Sequence, residues 1–226
     1  LETRIGTSLF HRTSRRMSLT AAGEAALERA VRILNEGEAV EAEVADRSAA
    51  LRGLIRPAAP MSFGVSRLAP PLPSFMQAHP DVELDIQLSD QMVDLVAERF
   101  DMALRISTLA DSSLRARQLC QVRILLVGSP AYFEAHGRPI HPRDLVQHRG
   151  FQYSYTRSGN TWRFRHPRHG EFAQTVPRQL QANNAEIFDA ALQAGLGLAL
   201  QPEFLVWEQL RDGRLQTAMD DWKVEP

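Results

Sequence analysis

Val82, Leu84, Ile86 and Leu88 alternate with Glu83, Asp85 and Gln87. That period of two belongs to a strand with one buried and one wet face. Its surroundings decide the fold. Upstream, residues 54–60 read as a strand and 65–78 as a helix with Leu68, Leu72, Phe75 and Met76 inward, stopped by His79-Pro80-Asp81. Downstream, 93–100 read as a short helix and 102–106 as a third strand. Strand, helix, strand, helix, strand at this spacing predicts parallel strands joined by right-handed crossovers, an α/β arrangement.

A second unit opens at the apolar strand 122–127. It continues through helices at 130–135 and 142–147, a strand at 150–155, and a hairpin over 162–176 turning at His166-Pro167-Arg168-His169-Gly170. Residues 180–182 read as a strand, Asn184 as the N-cap of a helix 185–194, and Gly195-Leu196-Gly197 as its stop. A strand 198–201, a helix opened by Pro202 and ended by Arg211-Asp212-Gly213, and a strand 215–218 complete the pattern. A chain of 226 residues accommodates two such units.

The first fifty residues are different. Leu9 to Arg12 and Met17 to Leu19 read as two short strands around a turn that carries Arg15 and Arg16. Thr20 then caps a helix whose apolar stripe, Leu27, Val31 and Leu34, resumes on a shifted face at Val40 and Val44. At 1.5 Å per residue the 21–48 helix is roughly 40 Å long. A stripe so thin on a helix so long predicts a partner helix from a second copy, giving a homodimer or homotetramer. A basic hairpin leading into a dimerising helix is the end of a winged helix-turn-helix, whose wing touches the DNA backbone. On charge alone, solvated turn arginines are the alternative.

The totals exclude several classes. With 26 basic and 27 acidic residues the net charge is −1, so any affinity for DNA must come from local charge. No run reaches the roughly 18 apolar residues of a membrane span, and no secretory signal is visible. The single cysteine, Cys120, forms no internal disulfide and suits a reducing cytoplasm; without a motif around it, it reads as a buried or inert thiol. The seven histidines are scattered, His166 and His169 flanking a proline in a turn, so no metal or cofactor is expected. Trp162, Phe164 and Phe172 alternate as core residues do, and "GLGLAL" lacks a phosphate-binding fingerprint.

"LFHRTSRRMSLTAAG", residues 9–23, resembles the wing and linker of LysR-type transcriptional regulators, which read like LFxRTxRxxxLTxAG. The stretches 59–106, "LLVGSPAYFEAHGRP" (125–139) and "GLGLALQPEFL" (195–205) are similar to that family's effector-binding domain. The resemblance implies a bilobal, periplasmic-binding-protein-like α/β effector domain of two Rossmann-like lobes, preceded by a long linker helix and the wing of a winged helix-turn-helix. The division it suggests is wing 1–20, linker and dimerisation helix 21–50, first lobe 54–124, second lobe 125–216, and the start of a return to the first lobe at 217–226. It places the family's recognition helix ahead of Leu1 and its last strand and helix after Trp222, so base reading and completion of the first lobe are expected of sequence outside these residues.

The implied function is DNA-binding regulation by a small-molecule effector held between the lobes, without enzymatic activity and in the cytoplasm. His11, Arg12, Thr13, Arg15 and Arg16 would hold DNA phosphates. Ser62-Phe63-Gly64-Val65-Ser66, at a strand-to-helix junction, would offer N–H groups and hydroxyls to an anionic or carboxylate effector. Asp90, Gln91, Arg105, Ser107, Asn183, Asn184 and Gln201 would complete the pocket. For Ser62, Ser66 and Asn184 a helix cap is the alternative role, for Asp90 a turn, for Arg105 an ion pair. A bilobal solute-binding protein without DNA function is the rival reading, and residues 7–48 argue against it. An enzyme on the same fold would need a base and nucleophile converging in the cleft, and the sequence offers none.

Overall fold

The computed structural model describes residues 2–12, 17–27, 29, 30, 33, 51–91, 95, 97–107, 114–156 and 158–224. They fall in two compact units, Leu1–Leu51 and Arg52–Pro226.

In the first unit the helical turn α1 (Glu2–Ile5) lies beside the start of a hairpin. Glu2 Oε1 accepts from the Leu9 and Phe10 N–H groups at 2.6 and 3.2 Å. Strands β1 (Phe10–Arg12) and β2 (Met17–Leu19) pair antiparallel with Phe10 opposite Leu19. Thr20 joins hairpin to helix α2, residues 21–27. Its backbone N–H donates to Leu9 O and its Oγ1 accepts from Gly23 N–H at 3.0 Å, the N-cap bond expected of a threonine there. Gly23 is required by contact: a Cβ on it would lie 2.0 Å from the Leu9 carbonyl oxygen. The arginine-bearing turn 13–16 and the stripe residues Val31, Leu34, Val40 and Val44 lie outside the described residues.

The second unit opens with parallel strands, though shorter than the sequence predicts. Residues 54–60, expected as one strand, divide into β3 (Gly53–Ile55) and β4 (Pro57–Ala59). Helical backbone then runs through α3 (Met61–Phe63), a π-helical turn at Gly64–Leu68, and α4 (Leu72–Ala78). The π-turn is closed by Ala69 N–H on Gly64 O at 2.8 Å. The helix expected over 65–78 therefore begins four residues earlier and breaks at Pro70-Pro71, where proline cannot continue the hydrogen-bond ladder. Met76, expected inward, is exposed, while Phe75 packs on His79 at a 4.8 Å ring separation.

The alternating strand 82–88 also divides, into β5 (Val82–Leu84) and β6 (Gln87–Leu88). Arg56 and Asp85 stand at the two breaks. Arg56, between β3 and β4, donates from Nε to Asp85 Oδ2 at 2.9 Å and from its backbone N–H to Asp101 Oδ2 at 2.7 Å. Asp85 N–H still donates to Ile55 O at 3.0 Å, and at Arg56 the backbone partner changes, its carbonyl accepting from Asp101 N–H at 3.0 Å. Strand β3 pairs with β5, and β4 with β6 and β7 (Met102–Ala103), all parallel, the second group in the order β6-β4-β7. Of the short helix expected over 93–100, residues 97–99 form a turn, with Arg99 left-handed at φ 58°, and 93, 94 and 96 lie outside the described residues. The third strand is two residues long, not five.

The second lobe is closer to expectation. Strand β8 (Ile124–Gly128) is followed by α5 (Pro130–His136), a 3₁₀ turn at Pro142–Gln147, β9 (Gly150–Tyr153), and the hairpin β10 (Thr161–His166) and β11 (Gly170–Thr175). Then come β12 (Arg178–Ala182), a 3₁₀ turn at Ala185–Phe188 running into α6 (Asp189–Gln193), β13 (Leu198–Pro202), α7 (Glu203–Arg211) and β14 (Gln216–Ala218). The five-stranded sheet has the order β12-β9-β13-β8-β14; β9 is parallel to β12 and β13, and β8 antiparallel to β13 and β14. Both faces are covered, so β8 is continuously apolar instead of alternating, while β9 and β13 each bury one glutamine, Gln152 and Gln201. Leu126 faces Tyr132, Leu145, Trp162 and Phe164 on one side. Leu125 and Val127 face Phe151, Phe188, Leu192 and Val206 on the other.

Residues 217–224, expected to begin a return to the first lobe, instead pack on the second. Ala218 pairs with Leu126, Lys223 exchanges backbone hydrogen bonds with Arg165 at 2.8 Å, and Trp222 is buried. His166, expected to be solvated in its turn, is partly buried with its ring 5.0 Å from Trp222; His169 is exposed. Cys120 is exposed, not buried. Among the described residues no helix is long and apolar enough to cross a membrane.

Candidate functional site

Two pairs of parallel strands, β4 with β6 and β9 with β12, bring the residues at their carboxyl ends together in the second unit. Ligands of open α/β sheets bind at such ends, where strand backbone stops and helix N–H groups begin. After β4 comes Ser62, after β6 Asp90, at the end of β9 Tyr153, and after β12 Asn183 and Asn184.

Asn184 has two tasks. Its Oδ1 accepts from Glu186 N–H at 2.8 Å and so caps the helix that follows, while its Nδ2 donates to Ser62 Oγ at 3.3 Å. The cap and the pocket residue of the sequence reading are thus one group. Ser62 is buried on the first lobe, and that hydrogen bond ties it to the second. A second tie lies one turn along: Arg67 Nη2 donates to Phe204 O at 3.0 Å, and the Phe63 ring meets Phe204 edge-on at 5.5 Å. Between Ser62 and Arg67 runs the π-turn, which Gly64 allows to settle on β6. A Cβ there would stand 2.3 Å from Leu88 Cδ2.

Asp90 also does more than turn the chain. Its Oδ1 accepts from Met61 N–H at 2.8 Å, so a carboxylate of the protein already occupies the first N–H of the helix expected to receive an anion. Tyr153 sits against it. Burial, then the charge and hydrogen bonding of Asp90, push the Tyr153 phenol well above its ordinary value, so it stays protonated and able to donate.

The other expected residues are distributed as follows. Ser66 Oγ donates to Ser62 O at 2.6 Å, inside the turn. Val65, Gln91, Ser107 and Asn183 are exposed, and Arg105 is partly buried. Gln201 is 2% exposed, its Nε2 donating to Ala185 O at 2.9 Å. Together with Ser66 it lines a cavity of about 590 Å³ bounded by α6 and α7, within the size range of small-molecule sites. In the wing, His11 and Arg12 lie on β1, and Thr13, Arg15 and Arg16 are outside the described residues.

Tyr153, Arg67 and Phe204 were not anticipated from sequence. The sequence places Tyr153 within a strand and Arg67 within a helix, and nothing local marks the contact of Arg67 with Phe204 O, 137 residues further along the chain. Among the described residues no group of three or more His, Cys, Asp or Glu side chains is arranged for a metal ion.

Comparison with known proteins agrees with this architecture. The LysR substrate binding domain family model matches residues 48–225. An HTH-type transcriptional regulator of Xanthomonas campestris is 33% identical over 225 residues, covering 98% of this chain and 65% of that protein. The HTH-type transcriptional regulator PtxR of Pseudomonas aeruginosa is 31% identical, covering 99% and 72%. Among solved structures, the full-length Vibrio cholerae virulence activator AphB, a member of the LTTR family, superposes with a TM-score of 0.69 at 28% identity over 99% of this chain and 76% of its own. CrgA, a LysR-type transcriptional regulator of Neisseria meningitidis, gives 0.68 at 29% over 100% and 76%. The chain spans about two thirds of the length of the Xanthomonas relative. With a family model covering most of its length and a bilobal α/β unit of matching structure, the chain belongs to the LysR substrate binding domain family.

Proposed function

We propose that this chain is the regulatory part of a bacterial transcriptional regulator that binds DNA in the cytoplasm, responds to a small-molecule effector and performs no catalysis. The Asn184–Ser62 hydrogen bond is the observation that carries the reading. At 3.3 Å it is a weak link between two lobes, placed where strand ends converge. A ligand entering there must replace it, and so favours one arrangement of the lobes over another. Such unequal binding is what coupling to DNA requires.

Asn184→Asp separates the two roles of that residue. It keeps the oxygen that caps Glu186 N–H and removes the N–H that reaches Ser62. The variant should melt within about 1 kcal/mol of wild type and show altered effector response in a promoter-binding assay. An unchanged response both here and in Ser62→Ala, which removes the hydroxyl that can still donate to an aspartate, would remove this contact from the mechanism.

The DNA-facing part is the basic hairpin, and the 21–50 helix pairs two copies. Leu27 and Ile33, apolar yet 52% and 71% exposed along that helix, support a partner. Changing Arg12 and Arg15 to alanine should weaken binding to every DNA sequence. The slope of log K against log salt should become shallower by about 2, at about 0.9 per lost phosphate contact. An unchanged slope would exclude the wing.

A further inference from the structure

Residues 219–224 are fastened to the second lobe through one side chain. Trp222 is 8% exposed and has three histidines against it. His141, the cap of the 3₁₀ turn at Pro142–Gln147, stands edge-on to the indole at 4.9 Å. His166, at the end of β10, lies 5.0 Å away, and His169, in the hairpin turn, stacks within 18° at 6.1 Å. The segment so held joins two separate sheets. Lys223 exchanges backbone hydrogen bonds with Arg165 of the hairpin, each 2.8 Å, and Val224 bridges to Ile124, the first residue of β8. It leaves β14 through Met219 at φ 56°, a conformation that needs support from its surroundings.

Two of the histidines are held in a form that a proton disrupts. His141 Nδ1 accepts from Arg143 N–H at 3.2 Å and from Arg143 Nε–H at 3.1 Å. His166 Nδ1 accepts from the Arg168 and His169 N–H groups at 3.0 and 3.2 Å. Nδ1 accepts only in the neutral Nε2–H tautomer, whereas an imidazolium donates from both nitrogens. A proton added to either ring therefore sets a donor against two donors. A cation is attracted to an indole face, but that attraction returns no acceptor to the four N–H groups.

The charges nearby do not favour an added proton. The 3₁₀ turn contributes Arg143 and Asp144, and the hairpin contributes Arg165 and Arg168, with Glu171 opposite Arg165. The segment itself carries Asp220, Asp221 and Lys223, and β8 carries no charge. Asp144 is occupied by the Ile140 and His141 N–H groups at 3.1 and 2.9 Å. Burial, then the Arg143 guanidinium, holds His141 below its ordinary value; Asp144 opposes this, and His169 and His166 add to it.

We propose that residues 219–224 form a clasp opened by acid: neutral His141 and His166 seat Trp222, and with it the Lys223–Arg165 pair, and their protonation releases the segment while the lobe beneath stays folded. In the released segment both rings take up protons near the ordinary value of about 6.5. Release is therefore favoured as pH falls through that value.

The test is amide exchange of the chain by NMR, corrected for intrinsic rate, at about pH 7.5 and about pH 5.5, a range that spans imidazole titration. Protection of Lys223 and Arg165 should fall about tenfold for each histidine protonated on release, about a hundredfold for both. Val127 in β8 should remain the better protected at both pH values, as a local opening requires. Ring-proton shifts of His141 and His166 should titrate over the same range. His141→Asn with His166→Asn places an oxygen near Nδ1, keeps an acceptor for the backbone N–H groups and does not titrate. The double variant should hold Lys223 equally well at both pH values. Wild-type protection that does not fall, a fall of the same size in the double variant, opening while both rings stay neutral, or equal protection of Lys223 and Val127 would each overturn the proposal. The clasp does not depend on the effector reading, so an unaltered response in Asn184→Asp leaves it standing.

Discussion

Gly23→Ala should undo the junction of hairpin and helix in the first unit. Helix propensity alone predicts the opposite sign, since alanine within a helix is favoured over glycine by about 1 kcal/mol. Contact decides against it. The new Cβ would sit 2.0 Å from the Leu9 carbonyl oxygen and 3.1 Å from Leu19 Cδ2. The oxygen belongs to backbone and already accepts from Thr20 N–H at 3.0 Å, so it has little freedom to retreat. Overpacking of this kind costs about 1–3 kcal/mol and more where backbone must move, so a net loss of about 2 kcal/mol or greater is expected. Amide exchange of Thr20 and Glu24, read by NMR, should accelerate by more than tenfold. Protection equal to wild type would show that the helix tilts away without cost.

Tyr132→Phe should have a comparable effect in the second lobe. The Tyr132 oxygen accepts from Arg149 N–H at 3.1 Å and lies 3.2 Å from His148 Nδ1. Its own proton is then available to Nδ1, which accepts it in the neutral Nε2–H tautomer of His148. Removing the hydroxyl leaves a backbone donor and a buried ring nitrogen unsatisfied, at about 1–3 kcal/mol in urea unfolding. The same arrangement sets a pH dependence. Burial, then the nearby His136, lowers the pKa of His148, and burial, then Arg143, lowers that of His141. In the unfolded chain both take up protons near their ordinary value of about 6.5. As pH falls through that value the unfolded state binds more protons than the folded one, so stability is full above it and declines below it. His148→Gln, which keeps an acceptor for Tyr132 and does not titrate, should flatten part of that acid limb. An acid limb of unaltered slope would place the titration elsewhere.

Much of this fold is legible from sequence where a signal is local. Asn184, Pro202 and the Gly195 stop marked their helices correctly because a cap or an absent N–H acts within one turn. The hairpin that alternation and its turn predict over 162–176 pairs over 161–175. The divided strands of the first lobe are not legible, because the partner that takes over at Arg56 is Asp101, far along the chain, and nothing near either announces the pair. The same holds for the site. Ser62, Asp90 and Asn184 follow strands, and their position could be read. Arg67 and Phe204 contribute through a contact that spans the two lobes, visible only once both are folded.

The π-helical turn at Gly64–Leu68 has one more consequence. An α-helix advances about 100° per residue, and in that geometry Ser62 and Arg67 would leave its surface in well-separated directions. One wide turn carries its residues through a smaller angle, so both side chains reach the same neighbouring lobe. The grip on the second lobe is therefore a matter of angular phase, held by the count of residues in this turn more than by their identity. A substitution at exposed Val65 should therefore disturb the lobe contact far less than deletion of one residue from this turn.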